Sequence, residues 1–456
     1  MNIFASRAFL DTGWASNVRV TIEGTEIETI RPYSTMHAND VQVDTLLPAL
    51  SNLHSHSFQR AMAGMTEFRT QGRESFWTWR KLMYAFLDRL TPDHISAIAA
   101  QSFMEMQKVG FAAVGEFHYL HNEQGGQRYG NAAELSDRIM QAAVETGIGL
   151  THLPVLYTFG DVGEQPLAGG QHRFKNTYDE YAAILESCKV TLKFLPDDTT
   201  LGVAPHSLRA TSPKDLSRIL TLVPDGPIHI HAAEQTKEVD DVQAALGARP
   251  VEWLLNNANV NARWCLIHAT HMTDAEATQL AQSGAIVGLC PVTEANLGDG
   301  IFNSRPFFGS GGLFGIGTDS NVNISMTTEL RTCEYAQRLH LRERNVLAPT
   351  DGSTGEMLYI SAAKGGAQAL NRNAGSIVEG QLADLVAIDS THPSLCALTD
   401  TQLLDGLIFA ANDTVVTDLW SAGRHAVRGG AHIAEATITR SYHAAIKELA
   451  ASLNVS

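Results

Sequence analysis

Cysteine is scarce in this chain: five residues among 456 (Cys188, Cys265, Cys290, Cys333 and Cys396), an odd, scattered set with no C-x-x-C spacing. That disfavours a disulfide framework or a cysteine-built zinc knuckle, so any metal has to be held by imidazole and carboxylate. No apolar run approaches the ~18 residues a membrane helix needs. The start, MNIFASRAFLDTGW, lacks the basic-then-apolar layout of a secretory signal, so the expected compartment is the cytoplasm. Positive charge is also short. The 33 Lys and Arg stand against 49 Asp and Glu, a net charge of −16, which opposes non-specific binding to nucleic acid or anionic membranes. Low-complexity tracts, proline-rich linkers and short repeats are missing. Apolar residues, at 44% against 18% charged, are plentiful enough for a packed core. The length exceeds a common domain of ~150 residues, but α/β barrels run past ~250 as one unit, so one large domain plus a small one is expected.

Eight β-rich apolar runs, each ended by polar residues, organise the chain. They are LLPALSNLHSH near 46–56, FAAVGEFHY near 111–119, IGLTHLPVLY near 148–157, TTLGVAPHSLR near 199–209, PIHIHAAE at 227–234, RWCLIHATH at 263–271, AIVGLCPVTE at 285–294 and LFGIGTDSN at 313–321. Segments with helical spacing lie between them, such as Phe76, Trp79, Met83, Phe86 and Leu90, or Ile98, Phe103, Met106 and Val109 behind the cap signal Thr91-Pro92-Asp93. Eight alternations predict a parallel sheet closed into a (β/α)₈ barrel of the TIM type, over 49–365. The flanks, 1–48 and 366–456, carry short alternating segments (VRVTIEG, LADLVAIDS, VVTDLWSAG) and read as two halves of one small β domain, a β-sandwich, followed by a C-terminal helix near 433–452.

His54 and His56 are two apart at the end of the first run, so on a strand both side chains point the same way. His231 ends the fifth run, His268 the sixth and Asp319 the eighth. All five therefore fall at the carboxyl ends of barrel strands, where barrel active sites sit. Such donors suit Zn²⁺ or Fe²⁺ with an open position for water. A single histidine is more often a hydrogen-bonded core or surface residue, and His94, His172, His229, His340, His392, His425, His432 and His443 are read that way. For the five named residues the joint placement decides for a metal. Glu234, three residues after His231, is a candidate proton shuttle, because burial and a nearby cation tune a carboxyl for acid work. Its structural alternative is an acid stabilised at a helix N-terminus.

These residues resemble the amidohydrolase superfamily: H-x-H at His54 and His56, then His231, His268, and Asp319 within G-T-D-S. The segment AGSIVEGQLADLVAIDS at 374–390 resembles the re-entry of such chains into their small β domain. Two-metal members carry a carbamylated lysine at the fourth strand. Here that strand end reads Val203-Ala204-Pro205-His206, and Lys193 lies before a Pro-Asp-Asp turn, which argues for one metal. The H-x-x-E after the third histidine is the pattern of the deaminase-like branch. Within it, NLHSHSFQRAMAGMTE at 52–67, VAPHSLRA at 203–210 and HIHAAEQ at 229–235 resemble the formimidoylglutamate deiminase family, and Asn321 departs from the histidine often found there.

The resemblance implies hydrolysis of N-formimino-L-glutamate to N-formyl-L-glutamate and ammonia, a step of histidine degradation, with one divalent metal, Zn²⁺ before Fe²⁺, on His54, His56, His231 and Asp319. It implies Glu234, His268 and Asp319 as catalytic residues, with Gln59, Arg80, Tyr119, His206 and Arg209 holding substrate, and it implies a homodimer. Arginine offers a planar fork for carboxylates, which fits a dicarboxylate substrate on an acidic protein. For Arg80 the alternative is a pair with Glu74 along its helix, and His206 could be structural after Pro205. The competing activity is deamination of guanine, cytosine or an adenosine derivative, for which two arginines have little use. A two-metal cyclic-amide hydrolase is disfavoured by the missing lysine, and a non-catalytic scaffold by the retained ligand set.

Overall fold

The computed structural model describes residues 1–67, 69 and 76–453. Four strands open the chain: β1 (Asn2–Leu10), β2 (Gly13–Glu23), β3 (Glu26–Arg31) and β4 (Val41–Pro48). In β2 the alternation is direct, with Val18, Val20 and Ile22 buried and Arg19, Thr21 and Glu23 turned outward. β1 pairs antiparallel with β2 and parallel with β4.

Nine strand pieces then build the barrel: β5 (Leu50–Ser55), β6 (Phe111–His118), β7 (Gly149–Leu156), β8 (Thr200–Leu201), β9 (Ala204–Pro205), β10 (Ile228–Ala232), β11 (Trp264–His268), β12 (Ile286–Leu289) and β13 (Leu313–Ile316). All pairings between neighbours are parallel. The bridges Val203↔Ile228 and Ser207↔His231 join the two arcs on one side, and Ser55↔Asp319 closes the ring on the other. This is the (β/α)₈ barrel expected from the eight runs. The fourth strand is split into β8 and β9. Pro205 has no N–H to donate, and Gly202 sits so close to its neighbours that a Cβ would lie 2.6 Å from Leu153 Cδ2 and 2.7 Å from the Pro227 carbonyl oxygen.

The helix Phe76–Leu87 follows the first strand, and Pro92–Lys108 starts where the sequence put its cap, with Thr91 Oγ1 accepting from the His94 N–H. The helix Thr354–Ala369 lies against β13 and β5 near the barrel floor. After it, β14 (Leu385–Ile388), β15 (Val416–Ser421), β16 (Arg424–Arg428) and β17 (Ala431–His432) extend the opening strands through the antiparallel β14–β4 pair into one eight-stranded sheet. Ile3, Val18, Val20 and Val43 from one half share a core with Leu385, Ala387 and Trp420 from the other, so the sheet folds over as a small sandwich.

The C-terminal flank differs from its all-β reading in one element, the helix Asp400–Phe409 between β14 and β15. The final helix, Glu435–Leu453, packs on Pro92–Lys108, with Lys108 Nζ 2.7 Å from Glu435 Oε1. Among the described residues no helix is long and apolar enough to cross a membrane.

Candidate metal centre and active-site cleft

The closure of the barrel aligns the candidate ligands. His56 N–H donates to the Asp319 carbonyl at 2.9 Å, and Asp319 N–H to the His54 carbonyl at 3.0 Å, so β5 and the end of β13 are held in register at the residues of interest. His54 Nε2 lies 3.1 Å from His231 Nε2 and 3.4 Å from Asp319 Oδ1, while His56 Nε2 lies 3.2 Å from the same oxygen. All four residues are buried, and each offers a donor atom within 4.8 Å of the others.

Second partners orient the rings. His56 Nδ1 donates to the Phe117 carbonyl at 2.9 Å and His231 Nδ1 to the His206 carbonyl at 3.1 Å. A carbonyl can only accept, so each ring carries its proton on Nδ1 and presents a bare Nε2 to the centre. Burial pushes His54 down to about 3, so it too is neutral. With His54 Nε2 3.1 Å from the bare Nε2 of His231, three imidazole nitrogens and a carboxylate converge on one point, a donor set for a divalent metal. A further trio, His268, Cys290 and Asp319, shares Asp319. Burial holds the Cys290 thiol well above its usual range, so it stays protonated and is a poor ligand. Lys193, exposed just past the helix Tyr178–Leu192, contrasts with the buried ligand cluster.

Two of the named residues sit in strained backbone. His268 has φ 67° and Asp319 φ 44°, beside Ala269 (48°) and Asn321 (54°). Non-glycine residues in the left-handed region cost about 1–3 kcal/mol each and persist where the surroundings enforce them, commonly at functional sites. Here Asn321 is itself enforced: its Nδ2 donates to Ser55 Oγ at 3.1 Å and its Oδ1 accepts from Thr318.

Over the cluster lies a cleft of about 550 Å³ counted to its open mouth. Gln59, Arg80, Tyr119, His206, Arg209, Glu234, His268 and Asp319 all line it, so every candidate substrate-binding and catalytic residue expected from the sequence is gathered in one cavity. Glu234 Oε1 is 4.0 Å from His268 Nε2, and Glu234 Oε2 is 3.4 Å from an Arg209 guanidinium nitrogen. Burial opposes charge on His268, but the hydrogen bond to Glu294 and the Glu234 and Asp319 carboxylates outweigh it and hold the ring up to about 10. Gln59 Nε2 donates to Tyr119 Oη at 2.7 Å. Arg80 bonds Tyr84 and Tyr157, and Glu74 lies outside the described residues.

Four residues around the cleft were not found from the sequence. Glu294 accepts from the Cys290 N–H at 2.9 Å and meets His268 Nδ1 at 3.1 Å. Glu238 accepts from the N–H groups of Ala233 and Glu234, both at 3.1 Å, and so anchors the turn that carries Glu234. Asp299 bonds Gln235, and burial together with the Glu234 charge pushes it up to about 9. Tyr157 stands just past β7, as Tyr119 stands past β6, and the strand-end reasoning that found Tyr119 applies equally to it. His229, read as an ordinary core residue, is buried with Nε2 on the Ala369 carbonyl at 2.8 Å.

A closed barrel with a buried three-histidine, one-aspartate cluster at its carboxyl end defines a metal-dependent hydrolase scaffold. The amidohydrolase family matches residues 45–426, and the N-terminal domain of formimidoylglutamate deiminase HutF matches residues 1–43. A formimidoylglutamate deiminase of Pseudomonas aeruginosa is 46% identical over 98% of this chain and 99% of that protein. A 5-methylthioadenosine/S-adenosylhomocysteine deaminase of Natronomonas pharaonis is 26% identical over 87% of this chain and 83% of that protein. The crystal structure of an amidohydrolase from Brucella melitensis superposes with a TM-score of 0.94 at 46% identity, covering 98% of this chain and 99% of that one. The chain belongs to the amidohydrolase family and, within it, to the formimidoylglutamate deiminases.

Proposed function

We propose that this protein hydrolyses N-formimino-L-glutamate to N-formyl-L-glutamate and ammonia, as a step of histidine degradation. The observation that carries the substrate is the pair of arginines in the cleft, Arg80 and Arg209, beside the ligand cluster. Two guanidinium forks match two carboxylates and are wasted on a neutral purine or pyrimidine. His54, His56, His231 and Asp319 would hold one divalent metal, Zn²⁺ before Fe²⁺. The metal, when bound, supplies Lewis acidity that brings the pKa of water down towards ~7.

Asp319 takes a proton from the attacking water and aims it at the formimino carbon. Glu234 gives a proton to the nitrogen that leaves as ammonia, since expulsion of an amide ion is prohibitively slow at neutral pH. His268, clamped by Glu294, steadies the charge that develops on oxygen. Gln59, Tyr119 and His206 hold the substrate with the arginines. In this reading residues 49–365 are the catalytic unit, residues 1–48 and 366–456 the small domain, and the enzyme is a cytoplasmic homodimer.

The test is ammonia release by metal-replete protein from N-formimino-L-glutamate, beside guanine, cytosine and adenosine, with a chelator-treated control and mass detection of formylglutamate. Metal-dependent turnover of the first substrate alone is expected. Turnover of a heterocycle alone would keep the metal chemistry and overturn the role given to the arginines.

A further inference from the structure

Tyr157 has a hydroxyl whose hydrogen bonds can be assigned without ambiguity. Gln171, itself buried, accepts at Oε1 from the Ala168 N–H at 2.9 Å and donates from Nε2 to the Gly160 carbonyl at 2.9 Å. A backbone N–H only donates and a carbonyl only accepts, so the amide cannot be turned over, and Nε2 is the atom that faces Tyr157 Oη at 3.0 Å. The Arg80 guanidinium, which has no acceptor, donates to the same oxygen, also at 3.0 Å. Both lone pairs of the phenol oxygen are then taken. Its proton is left over, and among the described residues no acceptor for it is found. Tyr157 is 2% exposed, yet it lines the cleft. A buried phenol with both lone pairs filled and its O–H unspent is a preset donor for an acceptor that arrives with the substrate.

Its position says which acceptor. The rings of His231, His206 and Tyr157 form a file leading away from the ligand cluster, with centroids 5.0 Å and then 4.7 Å apart. Arg209, by contrast, touches Glu234. The α-carboxylate of a formimino amino acid is close to the reacting carbon, and the side-chain carboxylate is at the far end.

Resting on the substrate class proposed above, the geometry points to Tyr157 as a specificity-determining residue that donates its hydroxyl proton to the side-chain carboxylate of the substrate, next to Arg80, with Gln171 setting the direction of that O–H. An amide or a hydrogen in place of that carboxylate loses the anionic acceptor, and the site then discriminates against it.

The experiment compares kcat and KM for N-formimino-L-glutamate and N-formimino-L-glutamine in the wild type, Tyr157→Phe and Gln171→Glu. Gln171→Glu keeps the phenol ring but replaces a donor by an acceptor that consumes the tyrosine proton. Both variants are expected to narrow the ratio of kcat/KM for the glutamate over the glutamine compound by about 10- to 100-fold, the range for a hydrogen bond to a charged group, chiefly through KM. An unchanged ratio in Tyr157→Phe, with a wild-type melting temperature, overturns the proposal. So does a loss of kcat equal for both compounds, the mark of a merely structural role. Failure of the wild type to turn over either compound would instead refute the substrate class itself.

Discussion

Asp319 and Glu234 are given the two proton transfers, and their surroundings separate the roles. Asp319 faces three imidazoles, and although burial opposes its charge, the His54 hydrogen bond and the charge on His268 hold its carboxyl below the usual range, so it enters the reaction ionised. Glu234 is held by Arg209 on one oxygen and faces His268 with the other, on the cleft side. Asp319→Asn and Glu234→Gln are each expected to lower kcat by at least ~10²-fold at unchanged far-ultraviolet circular dichroism. Near-normal turnover in either variant would remove that residue from the scheme.

A third carboxyl, Glu116 on β6, answers to stability instead. Its Oε1 accepts from the N–H and hydroxyl of Ser57 at 2.8 and 2.7 Å, its Oε2 has no partner among the described residues, and burial pushes it from 4.5 up to about 7. Between those two values the folded chain binds a proton that the unfolded chain has released. The contribution is therefore fully present below 4.5 and is lost as pH rises through about 7. Glu116→Gln, neutral at every pH, should flatten the fall of melting temperature from pH 5 to pH 8 relative to wild type, and an identical slope in the two proteins would refute the assignment.

At the scale of elements, the close approach of the helix Thr354–Ala369 to the barrel floor fixes where that helix can lie. A Cβ on Gly365 would sit 2.0 Å from the Phe314 carbonyl oxygen and 2.6 Å from its carbon, and one on Gly315 would sit 2.8 Å from the Gly366 nitrogen. Backbone cannot step aside as a side chain can, so Gly365→Ala should cost at least the ~1–3 kcal/mol of ordinary overpacking, read by chemical denaturation. A loss under about 0.5 kcal/mol would mean the helix can slide.

The barrel strands were legible because each ends in polar residues that strand geometry aims at one rim, and that rim is where His54, His56, His231, His268 and Asp319 fall. The helix Asp400–Phe409 was masked by strand-like neighbours. The split of the fourth strand depends on how near Pro227 comes to Gly202, a contact between segments no local pattern records. Glu238 and Glu294 lie early in helices that follow barrel strands, where an acid is favoured by the helix dipole at any site, so spacing alone could not tell them from ordinary first-turn acids.

For the whole molecule, the question is what holds the sandwich to the barrel in so acidic a chain. A buried charge cluster supplies one answer. Arg372 donates to Asp384 at 2.9 and 3.0 Å and to Asp198 at 3.1 Å, while Arg424 on β16 forks onto Asp198 at 2.8 and 2.7 Å. Asp198 belongs to the loop before β8 and Asp384 immediately precedes β14, so the two arginines bridge both units of the fold.

Such a cluster is weak proof of net stabilisation, because well-packed apolar groups can do as well. Removing one partner is different, since it strands charge in the interior, at a cost of about 3–5 kcal/mol. Arg372→Met should therefore lower the unfolding free energy by that amount at neutral pH. Burial opposes charge on Asp198, but Arg424 and Arg372 outweigh it and hold its carboxyl below 3.8. That contribution is fully present above 3.8 and is lost as pH falls through the depressed value. The gap between wild type and Arg372→Met should accordingly be widest near neutrality and close in acid, where the stranded carboxylates take up protons. Urea denaturation of both proteins from pH 7 down to pH 4 measures it, and a gap that stays constant or widens on acidification would show that Arg372 acts through packing rather than through charge.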